Sequence, residues 1–279
     1  IFFEAHYEKG LDFYRERYFA GWDGQVAVGD GRTHHLFLPF VPGRLREHFP
    51  QARLVAVLRD PVARAYSHWW HRTTRGLETL PFEDALEANR RERAAGRDFG
   101  GPDGPTLWKA GMLDDQTARI RPRLYLELGE YASQIERFRA AVPPEQLRVV
   151  LFEDLAHDPE SVTREVWRFI GVDPDQPIRD ATPQNVAQTR VRTPLAARML
   201  HWPGQDLARR ILPGTLRDGL RRYLAGRPAD QPAMSAGTES ALLEHYRPHN
   251  RALAALLERD LDAWSQPDAR RRREERDAG

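Results

Sequence analysis

Cysteine is absent from the 279 residues, which excludes disulfides, thiol nucleophiles and thiolate metal sites. Lysine is nearly absent: Lys9 and Lys109 are the only two, and arginine supplies the rest of the 42 basic residues. The arginine excess reads most simply as biased codon composition, but any step that needs a lysine has two candidates. A charge imbalance is missing too, because 41 acidic residues leave a formal net charge of +1. That balance gives no footprint for nucleic acid or an anionic membrane surface. No apolar run approaches the roughly 20 residues of a spanning helix, and the first residues lack a basic-then-apolar signal pattern. The expectation from these absences is a cytoplasmic chain with no nucleic-acid partner and no membrane partner. What is present, 41% hydrophobic and 30% charged residues, is enough for a real core.

The order of patterns predicts an α/β layer fold with a parallel sheet flanked by helices. Arg53 to Leu58 (RLVAVL) and Leu147 to Phe152 (LRVVLF) are apolar runs rich in Val and Leu, the signature of strands buried on both faces. Asp60 and Pro61 supply an N-cap and a first-turn proline for a helix with Val62, Ala65, Tyr66, Trp69 and Trp70 on its apolar side. Further helices are expected from Leu11, over Val41 to Phe49, Leu126 to Ala140 and Ser161 to Ile170, the last ended by Gly171. Gln25 to Gly29 reads as a short strand and residues 96 to 106 as a Gly/Pro-rich loop. Glu239 to Trp264 is amphipathic and expected to break at Pro248, and Arg270 to Arg276 is a charge run. One domain over residues 1 to 264 and a charged, disordered tail over 265 to 279 follow as expectations.

In a parallel sheet, ligands gather beyond the carboxyl ends of the strands, where the next helix offers amides and a positive dipole end to an anion. Arg59 stands at that end. Its guanidinium suits a phosphate, and Ser67, eight residues on, adds a hydroxyl from the following helix. A surface pair of Arg59 with Asp60, with Ser67 merely packed, is the competing reading. His68 and His71 are spaced i,i+3 and His245 and His249 i,i+4, but no third ligand is evident, so no metal is expected.

The segment LVAVLRDPVARAYSHWWH resembles the 3′-phosphate-binding motif of the sulfotransferases that use 3′-phosphoadenosine-5′-phosphosulfate (PAPS), particularly the bacterial and heparan-sulfate type. His6 to Tyr14, the group Gly129, Tyr131 and Gln134, Phe152-Glu153-Asp154-Leu155, and Tyr246 to Asn250 through Trp264 resemble other segments of that family in the same order. The resemblance implies a P-loop-NTPase-like fold, PAPS as co-substrate and sulfuryl transfer to a hydroxyl or amine, with Arg59 and Ser67 on the donor's 3′-phosphate. Arg227, in Ala-Gly-Arg, sits near the position of a donor-contacting loop, with Ala225 where relatives carry lysine. Arg32-Thr33-His34 resembles the sequence in which cytosolic sulfotransferases place a catalytic histidine, so His34 is the candidate general base; an unperturbed pKa near 6.5 suits that task. A loop histidine without catalytic part is the alternative. Tyr131 is a candidate adenine stack or a core residue. Trp69, Trp70, His71 and the 96 to 106 loop are candidate walls of an acceptor cleft.

The departures matter as much. The family's first strand and its Gly-rich, lysine-bearing phosphate loop have no counterpart here, and a glutamate base just ahead of Phe2-Phe3 would fall outside the sequence. A fragment, inactive or nearly so by itself, is the expectation, with a non-catalytic nucleotide-binding remnant as the alternative. A nucleotide kinase is disfavoured because no Walker sequence is visible. The acceptor, carbohydrate or small molecule, is not legible.

Overall fold

The computed structural model describes residues 1–96, 99–113, 122–178, 189–191, 225–228 and 231–266. Expectations for the tail after 266 and for most of 179–230 lie outside these residues. After tight turns over Phe2–Lys9 the chain forms α1 (Gly10–Tyr18), α2 (Val41–His48), β1 (Leu54–Leu58), α3 (Pro61–Thr74), α4 (Phe82–Ala94) and α5 (Gly104–Leu113). Then come a 3-10 turn over Glu127–Gly129, α6 (Tyr131–Ala141), β2 (Leu147–Leu151), α7 (Phe152–His157), α8 (Pro159–Ile170), β3 (Thr189–Val191), β4 (Ala225–Pro228) and α9 (Ala236–Leu257).

β1 and β2 pair in parallel, Leu54 opposite Leu147 through Leu58 opposite Leu151, with helices intervening, and β3 pairs antiparallel with β4. The α/β expectation therefore holds at its centre. Burial on both faces does not hold. Leu58 and Leu151 pack with Tyr131, Ile135, Leu253 and Trp264, whereas Val55 and Val57 on the other face are 38% and 52% exposed. Gln25 to Gly29 is not a strand: Val26 is 85% exposed and no strand among the described residues pairs with the segment, so two valines alone do not hold it.

The helix boundaries follow their chemistry. Gly171 closes α8 with φ of 82°, a left-handed conformation that glycine adopts without a Cβ penalty. The expected helix over Leu126 to Ala140 is split into the 3-10 turn and α6, and a Cβ on Gly129 would lie 2.8 Å from the Tyr246 ring and 2.9 Å from Pro61. That close approach lets α9 seat on the start of α3. Pro248 does not break α9, although it removes one intrahelical bond. Packing on either side offsets the loss: the Tyr246 hydroxyl donates to the carbonyls of Tyr125 and Leu126 at 3.1 and 3.0 Å, and Asn250 reaches the Trp264 carbonyl at 3.4 Å.

Candidate functional site

The β1–α3 junction is held by three polar contacts. The Asp60 amide donates to the Glu153 carboxylate at 2.8 Å, tying the end of β1 to the end of β2. The Tyr131 hydroxyl donates to the Arg59 carbonyl at 2.9 Å. The Asp60 side chain accepts from the amides of Val62 and Ala63 at 2.8 and 3.2 Å, capping α3. Arg59 itself is half-buried, its guanidinium 5.0 Å above the Phe152 ring, and the described residues give it no ion pair. The alternative of an Arg59–Asp60 pair is thus not what forms, since Asp60 is buried and turned into the helix cap.

One expectation needs correction. The first amides of α3 are not offered to an anion, because Asp60 already occupies two of them and its carboxylate opposes the positive end of the helix. The groups left to meet an anion at this junction are side chains. Ser67 lies seven residues beyond Asp60, two turns, and therefore on the same helix face, about 9 Å along the axis from Pro61. It is half-buried and has no side-chain hydrogen bond within the described residues. A tetrahedral anion with several acceptor oxygens is what such a guanidinium and hydroxyl can share.

A second cluster surrounds Glu4, a residue that sequence reading passed over as one charge among aromatics. Its side chain is fully buried, with Arg32 gripping both carboxylate oxygens at 3.2 and 3.3 Å and His35 Nε2 at 3.6 Å. Once Phe2, Phe3 and Ala5 are buried around it, a buried carboxylate needs partners, and these come from the Arg32 to His35 turn. Burial pushes the Glu4 carboxyl up, but Arg32, His34 and His35 outweigh it and the net shift is downward from 4.5. His35 is lowered by burial, which the charges of Glu4 and Asp30 partly offset. His34, on the adjoining turn, packs 5.1 Å from the Trp108 ring, and its charge acts on both Glu4 and His68, the residue after Ser67. Of its surroundings, the geometry fixes the ring of Trp108 as the neighbour of the candidate base.

This cluster makes a pH prediction. A carboxyl whose folded pKa lies below its unfolded value stabilises the fold fully above the unfolded pKa, and that contribution is lost as pH falls through the folded value. Thermal melts from about pH 6 to about pH 3 are expected to fall more steeply for the wild type than for Glu4→Gln, the difference opening below the 4.5 reference value. Parallel curves would contradict the assignment.

Other sequence candidates are resolved less favourably. Tyr131 is buried against Trp264 and spends its hydroxyl on Arg59, so its role is to position rather than to stack on a ligand. Trp69 and Trp70 are core residues rather than cleft walls, and Trp69 donates to the Leu80 carbonyl at 3.0 Å. Arg227 lies in β4, its side chain outside the described residues. Lys9 sits 4.5 Å over the Phe13 ring and Lys109 pairs with Glu8, so both lysines are engaged near the start of the chain. The 96 to 106 loop contributes Phe99 and Gly100 to a cavity of about 210 Å³ that Phe37, Arg123, Glu127 and Arg137 also line. That volume is below the roughly 300 Å³ at which ligand pockets begin.

A family model described as the sulfotransferase domain matches residues 32–193, more than half of the chain, and spans both the His34 turn and the β1–α3 junction. The chain belongs to the sulfotransferase domain family. A solved sulfotransferase from Alicyclobacillus acidocaldarius superposes with a TM-score of 0.60 at 24% identity, covering 92% of this chain and 75% of that one, a likeness of fold. The α/β architecture described above is thus the sulfotransferase fold. Among curated proteins, the human heparan sulfate glucosamine 3-O-sulfotransferase 3B1 is 26% identical over 171 residues, 61% of this chain and 37% of its own length. The human bifunctional heparan sulfate N-deacetylase/N-sulfotransferase 3 is 24% identical over 271 residues, 95% of this chain. The chain spans between about a quarter and about two fifths of the length of these relatives.

Proposed function

We propose that this sulfotransferase-family chain binds the 3′-phosphate of PAPS at the β1–α3 junction through Arg59 and Ser67 and transfers the sulfuryl group to a hydroxyl or amine. The observation that carries the reading is Arg59, whose backbone is fixed at the strand end by Tyr131 and, through the Asp60 amide, Glu153, and whose guanidinium lies over Phe152 without an anionic partner among the described residues. A half-buried arginine with its guanidinium unclaimed is a group that takes a phosphate bidentately. In the transfer, an acceptor oxygen or nitrogen attacks sulfur in line, the bond from sulfur to the 5′-phosphate oxygen breaks, and the 3′,5′-bisphosphate leaves. His34 takes the acceptor proton, with the Glu4 carboxylate stabilising the positive charge that results. Arg227 is assigned to the donor as well. The named relatives favour a carbohydrate acceptor over another small molecule. Absence of cysteine fits a cytoplasmic placement.

A second reading, nucleotide binding without transfer, is favoured by one observation: both lysines are engaged, Lys9 over Phe13 and Lys109 with Glu8, rather than held ready for a 5′-phosphosulfate. Release of 3′-phosphoadenosine-5′-phosphate from PAPS, measured against a panel of carbohydrate and small-molecule acceptors, separates the two. Turnover that Arg59→Ala and His34→Ala abolish supports transfer by this chain. Nucleotide binding with no turnover supports the second reading, and loss of both overturns the site.

A further inference from the structure

We propose that Glu130, His245 and His249 form a divalent transition-metal site, best suited to zinc, that fastens the start of α6 to α9. Sequence spacing set this aside because the pair of histidines had no third ligand and Pro248 was expected to interrupt their turn. The fold removes both objections. α9 runs unbroken through Pro248, so His245 and His249, four residues apart, stand one above the other on one face, their ring centroids 5.6 Å apart. Glu130, the residue that precedes α6, supplies the third donor from a different part of the chain.

The distances are those of a ligand set. One donor atom from each residue lies within 4.8 Å of the other two. Glu130 Oε1 is 3.3 Å from His245 Nε2 and 3.9 Å from His249 Nε2. Tetrahedral zinc with bonds of about 2.0–2.1 Å places its ligand atoms about 3.3–3.4 Å apart. One edge already matches, and small side-chain rotations bring in the others. His245 Nε2 is buried and faces the Glu130 carboxylate at 3.3 Å. A buried ring nitrogen aimed at a carboxylate and a second imidazole is the state in which a cation repays its own desolvation.

The surrounding charges permit it. Arg93 forks onto Glu130, Nη1 to Oε1 and Nη2 to Oε2, and the Glu127 carboxylate, held by Asn89 at 2.9 and 3.0 Å, adds its charge to both. With Arg93 positive and two carboxylates negative, a divalent ion is not excluded by net charge, and the carboxylate keeps a lone pair on each oxygen beyond the fork. Two imidazoles and one carboxylate leave the fourth tetrahedral position to water. The set holds no thiolate, which fits a chain without cysteine and favours zinc over softer ions.

The test uses the full 279-residue chain after chelator treatment. Calorimetric titration with Zn²⁺ alone is expected to show one equivalent bound, and Co²⁺ titration to give the intense visible bands of four-coordinate cobalt. His249→Ala, His249→Gln and Glu130→Gln are each expected to weaken Zn²⁺ binding by at least about tenfold, the lower end of what loss of an outer-shell partner alone costs. His157→Ala, an exposed histidine on α7, is the control and is expected to bind as the wild type does. Circular dichroism of the metal-free variants separates lost ligation from lost folding, and the pair of His249 variants covers the case where one fails to fold. No stoichiometric uptake, a six-coordinate cobalt spectrum, or affinity unchanged in folded His249→Gln and Glu130→Gln overturns the site.

Discussion

Arg59→Ala is expected to weaken binding of 3′-phosphoadenosine-5′-phosphate by about 2 to 4 kcal/mol, roughly 30- to 900-fold, the range of a desolvated charge-assisted contact. The argument is geometric before it is electrostatic. Arg59 follows the last residue of β1, its carbonyl is tied to Tyr131, the next amide is tied to Glu153, and its guanidinium rests on Phe152. The backbone ties set where the side chain starts, and the Phe152 ring narrows its rotamers, so part of the ordering cost of binding is already met. Because no partner among the described residues claims the guanidinium, removing it leaves no stranded carboxylate, and the fold is expected to melt nearly as the wild type does. Ser67→Ala removes one neutral hydroxyl and is expected to cost about 1 kcal/mol. Phosphate assignment fails if Arg59→Ala weakens adenosine 5′-phosphate as much as it weakens the bisphosphate.

Arg123→Ala is expected to produce the largest loss of stability, about 3 to 5 kcal/mol, because it strands a buried carboxylate. Glu78 has a side chain only 1% exposed, and Arg123 meets it at 2.8 and 3.2 Å while also pairing with Glu92 at 2.7 Å. The Tyr125 hydroxyl and the Thr79 and Leu80 amides complete the shell of Glu78. Burial pushes the Glu78 carboxyl up, and the Arg123 hydrogen bonds, followed by Leu80 and Tyr125, bring it below 4.5. Its contribution is therefore present above that value and lost as pH falls. Without Arg123 the upward push is less opposed, so protonation relieves the variant. Chemical denaturation is expected to show the gap between wild type and variant narrowing in acid, and Glu78→Gln to restore part of the loss in the Arg123→Ala background. A variant that melts within experimental error of the wild type at neutral pH would falsify this account of the network.

What the sequence revealed and what it hid divide along the range of the interactions involved. The strand, cap and helix from Leu54 to Thr74 were legible because a Val-rich run, Asp60 and Pro61 each act on their immediate neighbours. Gly171 ended α8 for the same local reason. Pro248 misled because its effect on α9 is decided by Tyr246 and Asn250, whose partners lie 120 and 14 residues away in sequence. The start of α5 at Gly104 was hidden inside what composition alone reads as loop. Trp69 and Trp70 looked like cleft residues and are core, since an aromatic's surroundings are a property of the fold. Glu4 was missed because its partners, Arg32 and His35, come from a turn about thirty residues later. Arg59 and Ser67 were legible as a pair from a motif, yet the ties of this junction to Tyr131 and Glu153, 72 and 93 residues away, were visible only in three dimensions.

The central claim, that the β1–α3 junction reads a 3′-phosphate, is tested most directly by calorimetry on the unaltered chain with two ligands that differ in that group alone. 3′-Phosphoadenosine-5′-phosphate is expected to bind with one site per chain and more tightly than adenosine 5′-phosphate by about 2 to 4 kcal/mol. Equal affinity for the two nucleotides, or no heat from either, would contradict it.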